Sequence, residues 1–169
     1  MKSVLSSSRK MMLLAGAVML SASIGFAGNA APAAASTLDN LQAAFNGESN
    51  AQTKYTAFAA KADEEGYGQV ASLFRAAAKS ESVHASGHAK AIKALSAEPM
   101  ADIKPLEVKS TKENLEAALI GETYEMETMY PGFIKQAELD KNEQAVRTFK
   151  GAMAAETEHA KFYKEAGAI

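Results

Sequence analysis

The sequence contains no cysteine among its 169 residues. This absence excludes a thiol nucleophile, a disulfide framework, iron–sulfur clusters held by thiolates, and covalently attached haem. Patterns typical of β-strands are almost absent as well, and apolar residues recur at helical spacing through most of the chain. Any redox chemistry must therefore come from a metal on oxygen and nitrogen ligands, or from a bound organic cofactor.

Basic residues are scarce relative to acidic ones. Lysine and arginine together number 18 against 20 aspartates and glutamates, which gives a formal net charge of −2. Lys2, Arg9 and Lys10 lie in the first 36 residues, where there is no acid, so residues 37–169 carry a net charge of −5. This negative balance argues against nucleic acid as a partner.

The first 36 residues have the pattern of an export leader. Basic residues precede an apolar run over 11–26, and an alanine-rich tract over 27–35 follows with several small-x-small cleavage motifs. The apolar run is too short to span a bilayer comfortably, so we predict that residues 1–36 are a cleaved signal peptide. A retained membrane anchor is the alternative. After cleavage we expect a periplasmic protein without membrane contact.

Residues 37–169 are long enough for one domain with a real core, and their apolar periodicity predicts an all-α fold. The predicted helices cover about 37–65, 69–96, 111–140 and 142–166. Residues 97–110 lack helical periodicity, and Ser110 with Glu113 has the pattern of a capping box before the third helix. A link of this length can run from one end of a bundle to the other. We therefore predict two helix hairpins joined by a long crossover.

An internal repeat relates the two predicted hairpins, because chemically matched residues recur at a nearly constant separation. The matched pairs are Glu81 with Glu156, His84 with His159 and Tyr55 with Tyr130 at a shift of 75 residues, and Glu48 with Glu122 at a shift of 74. We expect the two halves to face each other about a pseudo-twofold axis. Acids and imidazoles would then meet at the centre of the bundle.

The repeated acids and histidines have the spacing of a metal site. In Glu81-x-x-His84 the spacing places an oxygen and a nitrogen ligand side by side on one helix face, and Glu156-x-x-His159 repeats this. One glutamate from each of the other two helices completes the ligand pattern of ferritin-like bundles that bind two irons or manganese ions. The alternative is a metal-free helical interaction protein with these side chains solvated. Acids that face one core instead indicate a shared cation.

The sequence resembles the rubrerythrin family over essentially all of residues 37–169. The segments that carry the resemblance are Gly47-Glu48-Ser-Asn-Ala-x-x-x-Tyr55, Glu81-x-x-His84, Gly121-Glu122-x-x-Glu125-x-x-x-Met129-Tyr130-Pro131 and Glu156-x-Glu158-His159-Ala160. The resemblance implies a ferritin-like four-helix bundle that works as a non-haem diiron peroxidase, reducing hydrogen peroxide to water. It also implies a homodimer. A ferroxidase that handles iron is the alternative function.

The resemblance further assigns roles to single residues. The implied iron ligands are Glu48, Glu81, His84, Glu122, Glu125, Glu156 and His159. Glu81 and Glu156 would bridge the two metal ions, which we expect to be iron, with manganese as the alternative. One iron would be held by Glu125 when ferric and by His84 when ferrous, so we expect these two residues to be catalytic.

Two further features follow from the resemblance. Tyr55 and Tyr130 would donate hydrogen bonds to ligand carboxylates. The common rubrerythrin also carries a rubredoxin-like tail in which four cysteines bind an iron that delivers electrons. Because this sequence has no cysteine, we expect an external electron donor.

His88 and Gly87 do not belong to the predicted ligand set. His88 lies one helical turn beyond His84, and its repeat partner is Tyr163. We interpret His88 as a core or partly exposed histidine, with a role beside the metal ligands as the alternative. Gly87 should cost about 1 kcal/mol relative to alanine within a helix, and close approach of another helix is the explanation we expect.

Overall fold

Residues 35–167 are described in the computed structural model of the chain. Their helices are α1 (Thr37–Glu64), α2 (Gly68–Ala94), α3 (Thr111–Tyr124), α4 (Tyr130–Leu139) and α5 (Glu143–Ala166). A π-helical segment, Glu125–Met129, joins α3 to α4, and the three together form the third long helix. The first hairpin is α1 with α2, and the second is the third long helix with α5. The predicted all-α bundle of two hairpins is confirmed.

The predicted leader lies outside the described residues except for its last two positions. The second of these, Ser36, begins α1 with a capping box: its hydroxyl accepts from the Asp39 N–H, and its own N–H donates to Asp39 Oδ2 at 3.0 Å. Ser110 and Glu113 begin α3 in the same way, as predicted. Within the described part of the chain, no helix combines the length and apolar character that crossing a membrane requires.

Two apolar clusters lie along the bundle, one on each side of its middle. The larger side chains are Tyr55, Phe58, Phe74, Leu115 and Tyr163 in the first cluster, and Leu41, Ile92, Tyr130, Ile134 and Phe149 in the second. In each of the four long helices, one buried glutamate lies between the residues of the first apolar cluster and those of the second. These glutamates are Glu48, Glu81, Glu122 and Glu156. The core thus places four carboxylates at mid-bundle, surrounded by apolar side chains.

The π-helical segment is a departure from the sequence prediction. One uninterrupted helix was expected over 111–140, and this is wrong at Glu125–Met129. There the Tyr130 N–H donates to the Glu125 carbonyl, five residues earlier, so one turn contains an additional residue. Because the turn absorbs that residue, both Glu122 and Tyr130 are buried in the core.

The crossover between α2 and α3 keeps an extended path along α1. Three amide side chains of α1, spaced four residues apart, hold its backbone. Gln42 bonds to Glu98 and Met100, Asn46 bonds to Asp102, and Asn50 bonds to Asp102 and Lys104. Four residues of helix advance about 6.0 Å, and two residues of extended chain advance about 6.6 Å. Because these two advances are nearly equal, successive amide side chains of α1 lie beside every second residue of the crossover.

Candidate metal centre

The structure brings six of the seven predicted ligands into two overlapping clusters. Within each cluster, one ligand atom from every residue lies within 4.8 Å of the others. The Glu48 cluster consists of Glu48, Glu81, His84 and Glu156, and the Glu122 cluster consists of Glu81, Glu122, Glu156 and His159. Glu81 and Glu156 belong to both clusters. This shared membership is what two bridging carboxylates require.

Many ligand atoms have no hydrogen-bond partner, although the glutamates are at most 1% exposed. Among residues 35–167, the unpaired atoms of the two clusters are Glu48 Oε2, Glu81 Oε1, Glu122 Oε2, both carboxylate oxygens of Glu156, and His159 Nδ1. Four carboxylates buried this close together repel one another, and the two nearby imidazoles balance only part of their charge. A divalent cation in each cluster would satisfy the unpaired atoms, and carboxylate with imidazole is a donor set that suits iron and manganese. The residues therefore fit a pair of metal ions.

Two buried tyrosines donate hydrogen bonds to Glu122 and Glu48, the glutamates that belong to only one cluster each. Tyr55 donates to Glu122 Oε1 at 2.5 Å, and Tyr130 donates to Glu48 Oε1. Each hydrogen bond occupies one carboxylate oxygen and leaves Oε2 without a partner. Outer hydrogen bonds of this kind fix the orientation of a ligand. The structure thus places both tyrosines in the positions that the sequence analysis assigned to them.

His84 and His159 direct their Nδ1 atoms at the shared carboxylates. His84 Nδ1 lies 2.9 Å from Glu81 and 3.0 Å from Glu156. His159 Nδ1 lies 2.7 Å from Glu156 and 3.2 Å from Glu81. Burial alone would lower the pKa of both imidazoles, but the surrounding carboxylates outweigh it and raise both pKa values to about 12. Because a metal binds the deprotonated nitrogen, metal binding must release these protons.

Glu125, the seventh predicted ligand, belongs to neither cluster. It is half-buried at the start of the π-helical segment and lines a cavity of about 320 Å³ between α1 and the crossover. Burial raises its pKa, and the carboxylates of Glu48 and Glu122 raise it further, to about 9. In the metal-free protein Glu125 therefore keeps its proton to a higher pH than an ordinary carboxyl group does. Its coordination of a metal remains a prediction.

His88 has contacts that the sequence analysis did not find. It is completely buried, and its Nε2 lies 3.1 Å from the Tyr130 hydroxyl and 3.7 Å from Glu48 Oε1. Its Nδ1 lies 3.1 Å from the hydroxyl of Thr148 on α5. Gly87 was the available signal, since a Cβ at this position would lie 2.6 Å from Thr148 Oγ1. The predicted close approach of another helix at Gly87 is thereby confirmed.

The protonated ligands make the stability of the metal-free protein depend on pH. The pKa of His84 and His159 is about 12 in the folded chain against an ordinary 6.5, and burial raises that of Glu156 to about 8 against 4.5. A raised folded-state pKa adds stability that is complete below the unfolded value and is lost as the pH rises. We expect the thermal midpoint to fall between pH 6.5 and about pH 9, as measured by circular dichroism with a chelator.

Glu48 does not contribute to the expected fall of the thermal midpoint over this pH range. Burial would raise its pKa, but the imidazoles of His84 and His88, 3.8 and 3.7 Å away, and the Tyr130 hydroxyl outweigh burial and lower it to about 2. Its contribution is therefore complete above the ordinary 4.5 and is lost only in acid. Replacing both ligand histidines by glutamine should flatten the dependence. A midpoint that stays constant or rises over the window would contradict the protonation assigned here.

Comparisons with known proteins agree with this site. The sequence profile of the rubrerythrin family matches residues 39–167. Nigerythrin from Nitratidesulfovibrio vulgaris is 40% identical over 140 residues, covering 78% of this chain and 65% of the nigerythrin. Rubrerythrin from Porphyromonas gingivalis is 35% identical over 127 residues, covering 75% of this chain and 64% of that protein. The chain thus spans slightly less than two thirds of either relative.

Solved structures give the same result. The fully reduced, all-ferrous state of nigerythrin superposes with a TM-score of 0.76 at 34% identity, covering 95% of this chain and 80% of the other. Bacterioferritin from Mycobacterium tuberculosis, at 22% identity and a TM-score of 0.71, shares the fold over 77% of this chain and 82% of its own. With the family profile matched over nearly all the described residues and the ligand clusters formed at mid-bundle, this chain belongs to the rubrerythrin family.

Proposed function

We propose that this protein is a non-haem diiron peroxidase that reduces hydrogen peroxide to water with electrons from an external donor. The proposal is supported by the family relationship and by the fit of the two clusters to a metal pair, which we propose to be iron. Reducing one hydrogen peroxide to two waters consumes two electrons and two protons. When bound, the two irons supply electrons and stabilise the charge that develops as the O–O bond breaks.

The chain's own residues hold this site and control access to it. Glu81 and Glu156 contribute to both clusters, while Tyr55 and Tyr130 fix the carboxylates that belong to one cluster each. The apolar clusters on both sides of the site keep water from the bundle axis. The cavity that Glu125 lines is therefore the proposed approach for the substrate.

Glu125 is the observation that carries the assignment to peroxide chemistry. A ferritin-like diiron site needs four carboxylates and two histidines, and the two clusters already supply these. Glu125 is a fifth carboxyl group that lines the cavity beside them, and in the metal-free protein burial and the carboxylates of Glu48 and Glu122 raise its pKa to about 9. Cleavage of the O–O bond requires a proton for the departing oxygen, which a nearby carboxylic acid can donate. We propose that Glu125 holds and delivers this proton.

Ferrous oxidation with iron handling is the alternative function of the same centre. The cavity beside Glu125 argues against the passage of iron, because Lys54 also lines it, whereas Lys104 at the same cavity is paired with Asp102. Cationic side chains repel ferrous ions but do not affect uncharged hydrogen peroxide. We therefore favour peroxide reduction over iron handling as the function of this centre.

Stopped-flow oxidation of the diferrous protein tests which of the two functions is correct. Anaerobic mixing with hydrogen peroxide, and separate mixing with dissolved oxygen, gives two rate constants for loss of the ferrous centre. We expect peroxide to react at least about tenfold faster at equal concentration, a difference of about 1.4 kcal/mol in the barrier. Glu156→Gln, which removes a shared carboxylate, should suppress both reactions. Faster oxidation by oxygen would support the ferroxidase instead.

The reductant, the location and the assembly are further parts of the proposal. No cysteine is present in the 169 residues, so a rubredoxin-like iron cannot be built from them, and we propose that an external donor supplies the electrons. The leader pattern in residues 1–36 supports export to the periplasm. A homodimer is proposed from the family relationship.

A further inference from the structure

The internal repeat relates the two ligand clusters, but the tyrosine beside each cluster is held differently. Beside Glu122, the ring of Tyr55 packs edge-on against Tyr163 with 5.6 Å between centroids. The Tyr163 hydroxyl has no hydrogen-bond partner among the described residues. In the other half, His88 takes the place of Tyr163 in the repeat, and its Nε2 lies 3.1 Å from the Tyr130 hydroxyl. The pseudo-twofold symmetry is therefore broken next to the ligands.

A continuous hydrogen-bond network connects His88 to a cluster glutamate. An ionised carboxylate only accepts hydrogen bonds, so the Tyr130 O–H donates to Glu48. Because that hydrogen is used, the Tyr130 oxygen accepts from His88 Nε2–H at 3.1 Å. His88 Nδ1 shares a hydrogen bond of 3.1 Å with the Thr148 hydroxyl. Three hydrogen bonds thus link Thr148 through His88 and Tyr130 to Glu48.

The Thr148 hydroxyl points away from its own helix to make this chain. Six other helical hydroxyl groups bond to the carbonyl four residues earlier, namely those of Ser49, Thr53, Thr56, Ser72, Thr123 and Thr157. Thr148 instead reaches from α5 to His88 on α2. Gly87 leaves the space it needs, because a Cβ there would lie 2.6 Å from Thr148 Oγ1. A glycine that weakens its helix is thus explained by the contact between Thr148 and His88.

We propose that His88 is a positioning residue that makes the two metal positions unequal: by holding the Tyr130 hydroxyl, it strengthens divalent metal binding in the Glu48 cluster alone. This inference rests on the metal centre of the proposed function. A Tyr130 hydroxyl held in place fixes the Glu48 carboxylate with Oε2 left free for a metal, and outer partners of a ligand change metal affinity by about 10- to 100-fold. Tyr55 has no comparable chain behind it. A change at His88 therefore acts on one cluster only.

Cobalt(II) is a suitable probe, because anomalous diffraction measures its occupancy at each position separately. Crystals of the metal-free protein, soaked with a limiting amount of cobalt(II), give the ratio of occupancy in the Glu48 cluster to that in the Glu122 cluster. We expect His88→Leu to lower this ratio by about tenfold. His88→Gln should restore most of the ratio, since the Gln amide can donate to Tyr130 as Nε2 does. Tyr163→Phe, the matched change in the other half, should leave the ratio unchanged.

The outcomes separate this inference from the proposed function. An unchanged ratio in His88→Leu, or an equal fall in His88→Leu and His88→Gln, would overturn the inference while leaving the metal centre intact. Absence of cobalt from both clusters in the unaltered protein would overturn the metal centre itself, and the inference with it. If His88→Leu does not fold, Thr148→Val replaces it, because valine has the same shape and removes only the hydroxyl. A lower ratio in Thr148→Val supports the inference, and an unchanged one overturns it.

Discussion

An excess of ferrous iron, added anaerobically to the metal-free protein, is expected to raise its thermal midpoint by about 20 °C. Only the folded chain brings the ligands of the two clusters together, so the metal binds the native state and not the unfolded one. At a free metal concentration of about 1,000 times Kd, each site adds about 4 kcal/mol, and two sites add about 8 kcal/mol. Each kcal/mol raises the midpoint of a domain of this length by about 2–4 °C.

Two variants of α5 provide the control for this stabilisation. Glu156→Gln removes a carboxylate that belongs to both clusters, and most of the rise in midpoint should disappear. Glu158→Gln makes the same chemical change at an exposed position two residues away, and the full rise should remain. Equal rises in the two variants, or a rise below about 3 °C in the unaltered protein, would show that these clusters do not hold the metal.

Replacing Glu125 with alanine is expected to slow oxidation of the diferrous centre by hydrogen peroxide by about 100-fold. The variant keeps all six residues of the two clusters but loses the carboxyl group that lines the cavity and is proposed to donate the proton. A positioned general acid contributes about 100- to 10,000-fold to a rate, and water can replace part of this. Anaerobic stopped-flow spectroscopy measures the change, with iron content checked in the same samples.

The matched control for Glu125 lies in the same π-helical segment. Glu127 is exposed, and Glu127→Ala should leave the peroxide rate unchanged. Glu125→Gln keeps the size of the side chain but cannot donate an acidic proton, so it should behave like the alanine variant. A Glu125→Ala protein with two irons and an undiminished rate would remove this residue from the reaction.

The bundle and the clustered ligands could be predicted because each is encoded by short spacings. Glu81 and His84 share a helix face at a spacing of three residues, and the repeat supplies their partners in the other hairpin. The apolar stripe around each glutamate shows which face is turned to the core. Local spacing therefore places six ligands, without knowledge of how the hairpins pack.

The π-helical segment could not be read from periodicity, because that reasoning assumes regular turns throughout. The sequence does contain an indication of the π-helical segment: Glu122 and Tyr130 are eight residues apart, whereas their repeat partners Glu48 and Tyr55 are seven apart. One inserted residue must be absorbed within a single turn, which is what a π-helical turn does. The contact of His88 with Thr148 could not be predicted from the sequence for another reason. These residues are 60 positions apart and meet only because α2 packs on α5.

The amide side chains of α1 that hold the crossover limit how its sequence can diverge. Their partners are backbone groups of residues 98, 100, 102 and 104, and the N–H groups of the last three are donors. Proline has no N–H to give, so it is excluded at those three positions and tolerated at the odd-numbered ones between and after them. Both prolines of this segment, Pro99 and Pro105, occupy odd-numbered positions. None of these bonds uses a side chain of the crossover, whereas a proline moved to position 100, 102 or 104 would remove one of the bonds that hold it to α1.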